Sequence, residues 1–371
     1  MQCKFCGAQH PDYFYKNQCR RCLSFQNRTI NLGDSKIKNV SLELPFDLTN
    51  YQKEASNKLC SCTRDKPIFL EAVCGAGKTE VCLALLHKNL LEKRRCCWAI
   101  PRREIVLELY IRLKDYFQGI DVIPVCKGYT DKLEGDLIIL TTHQLYRYPN
   151  TFDFMILDEP DAFPFSNNEM LATFAKNALT KQSQILYLSA TRDETMQKLI
   201  DEDKIYHVKL PIRPSMKFLP VPIWRLSLLM WIQFLMDYKG HLEDKNLVFV
   251  PTISMAKKLS IILNEPYVCS SSDDKNKQIE RFRNIKSGTL ICTTILERGV
   301  TFKDCMVFVL FADHPVFSVS SLIQIAGRVQ RGLNPQKGKC YFYSRGKSEV
   351  IEQCIKNIEE MNHYAQSVLK V

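Results

Sequence analysis

A chain of 371 residues, 46% hydrophobic and 25% charged, is long enough for two ordinary domains and a small appendage and leaves no stretch to be read as disordered. Its formal charge of +11 favours a polyanionic partner, because Lys and Arg release counterions when they neutralise phosphates. Met1 is followed so closely by Cys3 and Cys6 that a secretory leader is not expected, and the most apolar run, Leu226 to Met236, is broken by Ser227 and Gln233 and ended by Asp237, short of a membrane span. Sixteen cysteines, most without repeating spacing, read as the reduced thiols of a cytosolic protein.

The chain begins with Cys3-x2-Cys6 and Cys19-x2-Cys22, twelve residues apart. Two such knuckles present four thiolates in the pattern of a closed tetrahedral zinc site. The zinc is expected to be structural, supplying on the order of 10 kcal/mol to a segment too small to hold its own core. A redox role for the pairs is disfavoured, because no thioredoxin-like βαβ context surrounds them. Phe5, Tyr13, Phe14 and Tyr15 lie among Lys4, Lys16, Arg20, Arg21 and Arg28, against Asp12 alone. These aromatics either stack on single-stranded DNA, or form the module's own core, or make a protein-docking face. The module is assigned to residues 1–28 and a connector to 29–47.

From Pro67 onward short apolar runs alternate with helical stretches, the pattern of βαβ units around a parallel sheet, and residues 48–208 are assigned to a first lobe. Strands are expected at Ile68–Val73, Trp98–Ile100, Leu137–Leu140, Phe152–Leu157 and Ile185–Leu188. Between the first of these and the helical run Glu80–Leu91 stands Ala72-Val-Cys-Gly-Ala-Gly-Lys-Thr79. Gly75, Ala76 and Gly77 can turn backbone N–H groups toward phosphates, Lys78 can reach the terminal phosphates of ATP, and Thr79 can ligate Mg2+. Asp158-Glu-Pro-Asp161 follows an apolar strand at its carboxyl end, where α/β sheets present catalytic groups. Asp158 is placed on Mg2+ and Glu159 on the attacking water.

Leu210 to Pro222 contains four prolines, which remove backbone donors and disfavour helix; residues 209–222 are therefore read as a linker. A second βα series fills 223–371, with strands near Leu247–Val250, Tyr267–Ser270, Thr289–Thr293, Met306–Phe311 and Cys340–Tyr343. Leu226–Met236 is expected to be a buried amphipathic helix. Val350, Ile351, Cys354, Ile355, Ile358 and Met361 mark one face of a final helix, Glu349–Leu369. In Gln324-Ile-Ala-Gly-Arg-Val-Gln-Arg331 two arginines stand three apart, on one face if helical. Arg328 and Arg331 are candidates for stabilising charge on a transferring phosphate.

The order of these motifs resembles that of superfamily-2, DEAD-box-type helicases. It runs through Gln52 in Leu-Thr-Asn-Tyr-Gln, Ala72–Thr79, Pro101-Arg-Arg103, Thr141-Thr-His-Gln-Leu145, Asp158–Asp161, Ser189-Ala-Thr191, Thr293–Thr301 and Gln324–Arg331. Closer still is a resemblance to the ComFA family of bacterial competence ATPases, carried by the cysteine module, Asp158-Glu-Pro-Asp-Ala-Phe-Pro164, Leu219-Pro-Val-Pro222 and Thr294-Ile-Leu-Glu-Arg-Gly-Val-Thr301. Ala72 replaces the first glycine of the usual phosphate loop, and Pro160 stands where an aliphatic residue is expected. The resemblance implies two tandem RecA-like lobes of the P-loop NTPase class behind a small zinc-binding module. By the same resemblance Gln52 recognises adenine, Ser189 and Thr191 couple nucleotide state to lobe closure, and Arg102, Thr142, Thr252 and Thr293 touch nucleic acid, mostly at phosphates, without reading sequence.

The expected function is an ATP-dependent, DNA-stimulated translocase that moves single-stranded DNA during uptake. Its implied partners are a ComFC-like protein and a membrane DNA-uptake channel, with the motor at the inner face of the plasma membrane and a homo-oligomer left open. Two rivals stand beside this reading. One is a helicase of DNA repair, replication restart or RNA remodelling. The other is a nucleotide-gated nucleic-acid-binding adaptor, against which Glu159, Arg328 and Arg331 argue.

Overall fold

The computed structural model of the chain describes residues 2–16, 18–26, 28–33, 37, 39–272, 274–297, 302, 305–329 and 338–369. Two compact units result, Met1–Ala72 with Gly77–Leu210, and Val73–Ala76 with Pro211–Val371.

The first unit is built on a seven-stranded sheet in the order Tyr206–Leu210, Ile68–Ala72, Leu179–Ser189, Phe152–Asp158, Cys96–Ile100, Leu137–Thr141 and Val122–Val125. Every pairing is parallel. The central strands Ile68–Ala72, Cys96–Ile100 and Leu137–Thr141 are buried at every position, as a sheet covered on both faces by helices requires. The register pairs Leu188 with Asp158 and Ser189 with Glu71, so three neighbouring strands end at one level. Val122–Val125 and Tyr206–Leu210, not anticipated from the sequence, are the two edges. Pro124 in the first removes a ladder donor, which only an edge tolerates, and the second has no continuous apolar run, since His207 and Lys209 interrupt it.

The second unit carries a six-stranded parallel sheet in the order Ile223–Leu226, Cys340–Ser344, Cys305–Leu310, Lys245–Phe249, Gly288–Cys292 and Tyr267–Val268. The two sheets are those of tandem RecA-like lobes. Helix Glu349–Leu369 spans the expected residues and buries Ile351, Cys354, Ile358, Met361 and Ala365. The apolar run Leu226–Met236 departs from expectation. It divides into the end of an edge strand and helix Met230–Lys239. That helix buries Met230, Phe234 and Tyr238 only; Leu228 is 83% and Met236 69% exposed. Hydrophobicity alone does not place a helix inside, because only one stripe meets the sheet. Among the described residues no helix is long and apolar enough to cross a membrane.

At the amino terminus a ribbon pairs Phe14 with Cys19 and Tyr15 with Gln18, and helix Leu23–Gln26 follows. The module shares a core with the first lobe: Cys6, Cys19 and Cys22 lie in one buried cluster with Leu145, Tyr146, Leu171 and Phe174.

Phe234 has no exposed surface, stacks on Tyr238 at 5.5 Å between ring centroids and meets Phe308 and Tyr343 edge-on. Phe234→Ala is expected to cost about 3–5 kcal/mol of second-lobe stability. Met236→Ala, on the open side of the same helix, is expected to stay within about 0.5 kcal/mol. Denaturant unfolding of the two variants measures the contrast.

Candidate nucleotide site and motor motifs

The phosphate loop leaves strand Ile68–Ala72 and enters helix Lys78–Leu91, with Ala76 N donating to Val73 O at 3.0 Å. Gly75 and Gly77 have φ of +81° and +83°, the left-handed region glycine enters without steric penalty. Gly77 has a second constraint, since a Cβ there would run into the Gln52 Nε2. Gln52, 5% exposed, is held for this contact. Thr49 caps helix Asn50–Ser61 in a reciprocal box, with Gln52 N donating to Thr49 Oγ1 at 3.4 Å and Thr49 N to Gln52 Oε1 at 2.9 Å. Committing Oε1 to the helix end points the amide nitrogen at the loop.

Lys78 and Asp158 lie with Nζ 3.8 Å from Oδ1 and side chains 15% and 14% exposed. Cation and carboxylate are close enough to attract, yet the separation exceeds a direct hydrogen bond. Phosphate oxygens and a divalent ion suit that donor set, an ammonium, a hydroxyl on Thr79 and a carboxylate. Trp98 Nε1 donates to Asp158 Oδ2 at 3.4 Å. Cys82, fully buried, is pushed well above the ordinary thiol range by burial and, next, by the Asp158 charge, so it stays neutral beside the acid. Glu159 takes φ of +56°, and its N–H donates to Leu188 O at 2.8 Å. This left-handed turn costs on the order of 1 kcal/mol in a non-glycine residue and takes Glu159 out of the strand's alternation.

The fourth residue of that turn does what its sequence did not announce. Asp161 accepts from Ser189 Oγ at 2.7 Å and from Thr191 Oγ1 at 3.2 Å, while Thr191 N donates to Ser189 Oγ at 3.0 Å. The acid at a fixed spacing from Asp158 was the available signal. Glu71 was missed as well. Its side chain, 4% exposed, accepts from Arg192 Nε at 2.7 Å and lies 2.8 Å from His207 Nε2. The strand before the phosphate loop is thereby tied to the residue after Thr191 and to the edge strand. No local motif signals this tie, because its members are 121 and 136 residues apart.

The remaining candidates fall elsewhere. Arg102 is the amino-terminal cap of helix Arg103–Tyr116. Thr142 has no exposed surface, and its hydroxyl makes no hydrogen bond, so in this conformation it offers a strand nothing to touch. In the second unit Thr252 caps helix Ile253–Leu263, accepting from Met255 N at 3.2 Å, and Thr293 is 9% exposed. Arg328, 1% exposed, donates from Nε and Nη2 to Glu297 O at 3.1 and 2.6 Å. Arg331 lies outside the described residues.

The four thiol sulfurs of Cys3, Cys6, Cys19 and Cys22 lie within 4.8 Å of one another. Cys3 to Cys22 is 3.6 Å and Cys6 to Cys19 3.5 Å, close to the ~3.8 Å edge of a tetrahedron with metal–sulfur bonds of about 2.3 Å. Burial pushes the Cys6 thiol up to about 11, so a bound cation is what would make it a thiolate at neutral pH. The set fits zinc.

Tandem RecA-like sheets with a phosphate loop and an acidic turn at the strand ends define an ATP-dependent, helicase-like motor, a nucleic-acid-dependent ATPase. The DEAD/DEAH box helicase family matches residues 49–199, and the helicase conserved C-terminal domain matches residues 228–332. In fold the chain is similar to Dbp5 of Saccharomyces cerevisiae bound to RNA and ADP BeF3. That match has a TM-score of 0.61 at 16% identity over 86% of this chain and 87% of the other. Competence protein ComFA of Bacillus subtilis is 32% identical over an alignment 407 positions long, covering 99% of this chain and 87% of the relative. ComFA of Streptococcus pneumoniae is 34% identical over 339, covering 86% and 78%. The chain belongs to the ComFA family.

Gly77→Ala is expected to lower ATP affinity at least tenfold, because the side chain collides with Gln52 and the left-handed backbone is strained. Isothermal titration with a non-hydrolysable ATP analogue reads this directly.

Proposed function

We propose that this protein is a single-stranded-DNA-stimulated ATPase that translocates along the strand and serves the uptake of transforming DNA. The observation that carries the motor reading is the double hydroxyl clamp of Ser189 and Thr191 on Asp161, three residues from the acid facing Lys78. In this reading a change at the phosphates reaches the next strand end through this clamp. Family membership and the charge of +11 support DNA as the track.

In this reading Gln52 holds adenine, and the loop N–H groups of Gly75, Ala76 and Gly77 with Lys78 hold the phosphates. Thr79 and Asp158 hold Mg2+, which when bound neutralises phosphate charge. Glu159 orients the attacking water and accepts its proton on the carboxylate. Arg328 exchanges the Glu297 carbonyl for a phosphate oxygen, and Arg331 acts beside it. Arg102, Thr252 and Thr293 track strand phosphates, and Thr142 joins them only after its turn shifts. A ComFC-like partner, a membrane channel that receives the strand, and self-association belong to the same proposal.

Steady-state ATPase assays with single-stranded DNA, duplex DNA and RNA side by side test it. Single-stranded DNA is expected to raise turnover most, and Lys78→Ala to remove it. A rate indifferent to all three nucleic acids would sink the motor, and a preference for RNA would redirect it to the substrate named for the Dbp5 structure.

Zinc is proposed as the ion of the four-cysteine site. Elemental analysis is expected to find a single zinc per chain. Chelation is expected to lower the unfolding temperature of the first lobe, since the module and Phe174 share one core; an unchanged melting curve after complete zinc removal contradicts a structural role.

A further inference from the structure

The module's aromatic residues divide into two sets. Phe5 meets Phe174 edge-on at 5.6 Å, and Phe25 packs on Tyr146 at 4.8 Å and on Phe174 at 6.0 Å. Asn177 Nδ2 donates to the carbonyls of Lys4 and Phe5 at 2.8 and 3.2 Å. One side of the module is therefore consumed in seating it on the first lobe. The alternation of the ribbon sends its other side chains outward. Phe14, opposite Cys19, packs toward that shared core, whereas Tyr15, opposite Gln18, is 61% exposed and Tyr13 39%.

The two outward rings are overlaid by cations. Lys16 Nζ lies 5.6 Å and the Arg20 guanidinium 5.8 Å from the Tyr15 ring centre, and the Arg21 guanidinium lies 5.1 Å from that of Tyr13. Asp12, the one acid of residues 1–28, lies 3.3 Å from His10 Nδ1. A core that reaches into the lobe has no need of these tyrosines, so their exposure calls for another explanation. Flat rings interleaved with guanidinium and ammonium groups are what an unpaired strand needs: π-faces for bases, and cations for the phosphates between them. A duplex would offer the phosphates but not the base faces.

We infer that the outward face formed by Tyr13, Tyr15, Lys16, Arg20 and Arg21 is a binding surface for single-stranded nucleic acid, separate from the strand-tracking residues of the lobes. It rests on the reading of the protein as a single-strand motor and adds to it a grip that depends on neither nucleotide nor lobe movement. Because the module is seated on the first lobe, a strand held there stays with that lobe throughout the cycle.

The test uses the full chain without nucleotide and follows the fluorescence anisotropy of a labelled oligodeoxythymidylate at two salt concentrations. The paired change Tyr13→Ala and Tyr15→Ala is expected to weaken binding by about tenfold or more, while Tyr13→Phe with Tyr15→Phe, which keeps both π-faces, retains wild-type affinity. Arg20→Gln with Arg21→Gln is expected to flatten the salt dependence by about one unit of log K per log salt. Melting curves confirm that the variants stay folded. Wild-type affinity and salt slope in folded alanine and glutamine variants overturn the inference and leave the face to a protein partner. Equal losses in the alanine and phenylalanine pairs overturn stacking. Failure of the motor reading is separate, because it appears as wild-type turnover indifferent to single-stranded DNA.

Discussion

The first lobe depends on three parallel strands ending level with one another. Leu188 sits opposite Asp158 and Ser189 opposite Glu71, so the residues that follow each strand emerge side by side. A one-residue slip would turn every side chain of a strand to the opposite face. The level ending lets Asp161 take both hydroxyls and lets Glu71 reach Arg192. These contacts join segments that each look like a strand end followed by a polar turn. Together they join the strand ends around the phosphate loop and the acidic turn.

Burial decides how strongly those contacts hold. Glu71, with 4% of its side chain exposed, is paired with Arg192 and lies against His207, and removing one member of such a buried pair leaves the other stranded at a cost of about 3–5 kcal/mol. The Ser189 and Thr191 clamp is made of neutral donors on a carboxylate. An ion pair and a hydroxyl clamp thus meet at the end of one strand.

The module shows a related economy. Four cysteines and two dozen residues cannot fill a core of their own. The module borrows Tyr146 and Phe174 from the lobe, and this frees Tyr13 and Tyr15 from packing duty. A separate small domain would have had to turn those rings inward.

Much of this was legible in the chain. Glycines and a lysine between an apolar strand and a helix imply a phosphate loop, because few other local conformations serve that composition; paired Cys-x2-Cys knuckles imply a metal site, because thiolates at that spacing converge. The final helix was readable to its ends, since a long amphipathic period is a strong signal. Other features had no local signature. The half-exposure of Met230–Lys239 depends on which stripe the sheet covers, and the Glu71, Arg192 and His207 tie joins residues more than a hundred positions apart. The complete burial of Thr142 follows from its neighbours and not from its own polarity. The sequence by itself determined the chemistry, the class of fold and the order of the motifs, because these reside in residue types and short spacings. Only the tertiary structure decided which acid receives Ser189 and Thr191, which aromatics seat the module and which face outward, because those choices are made by the register of distant strands and by the competition of side chains for one buried space.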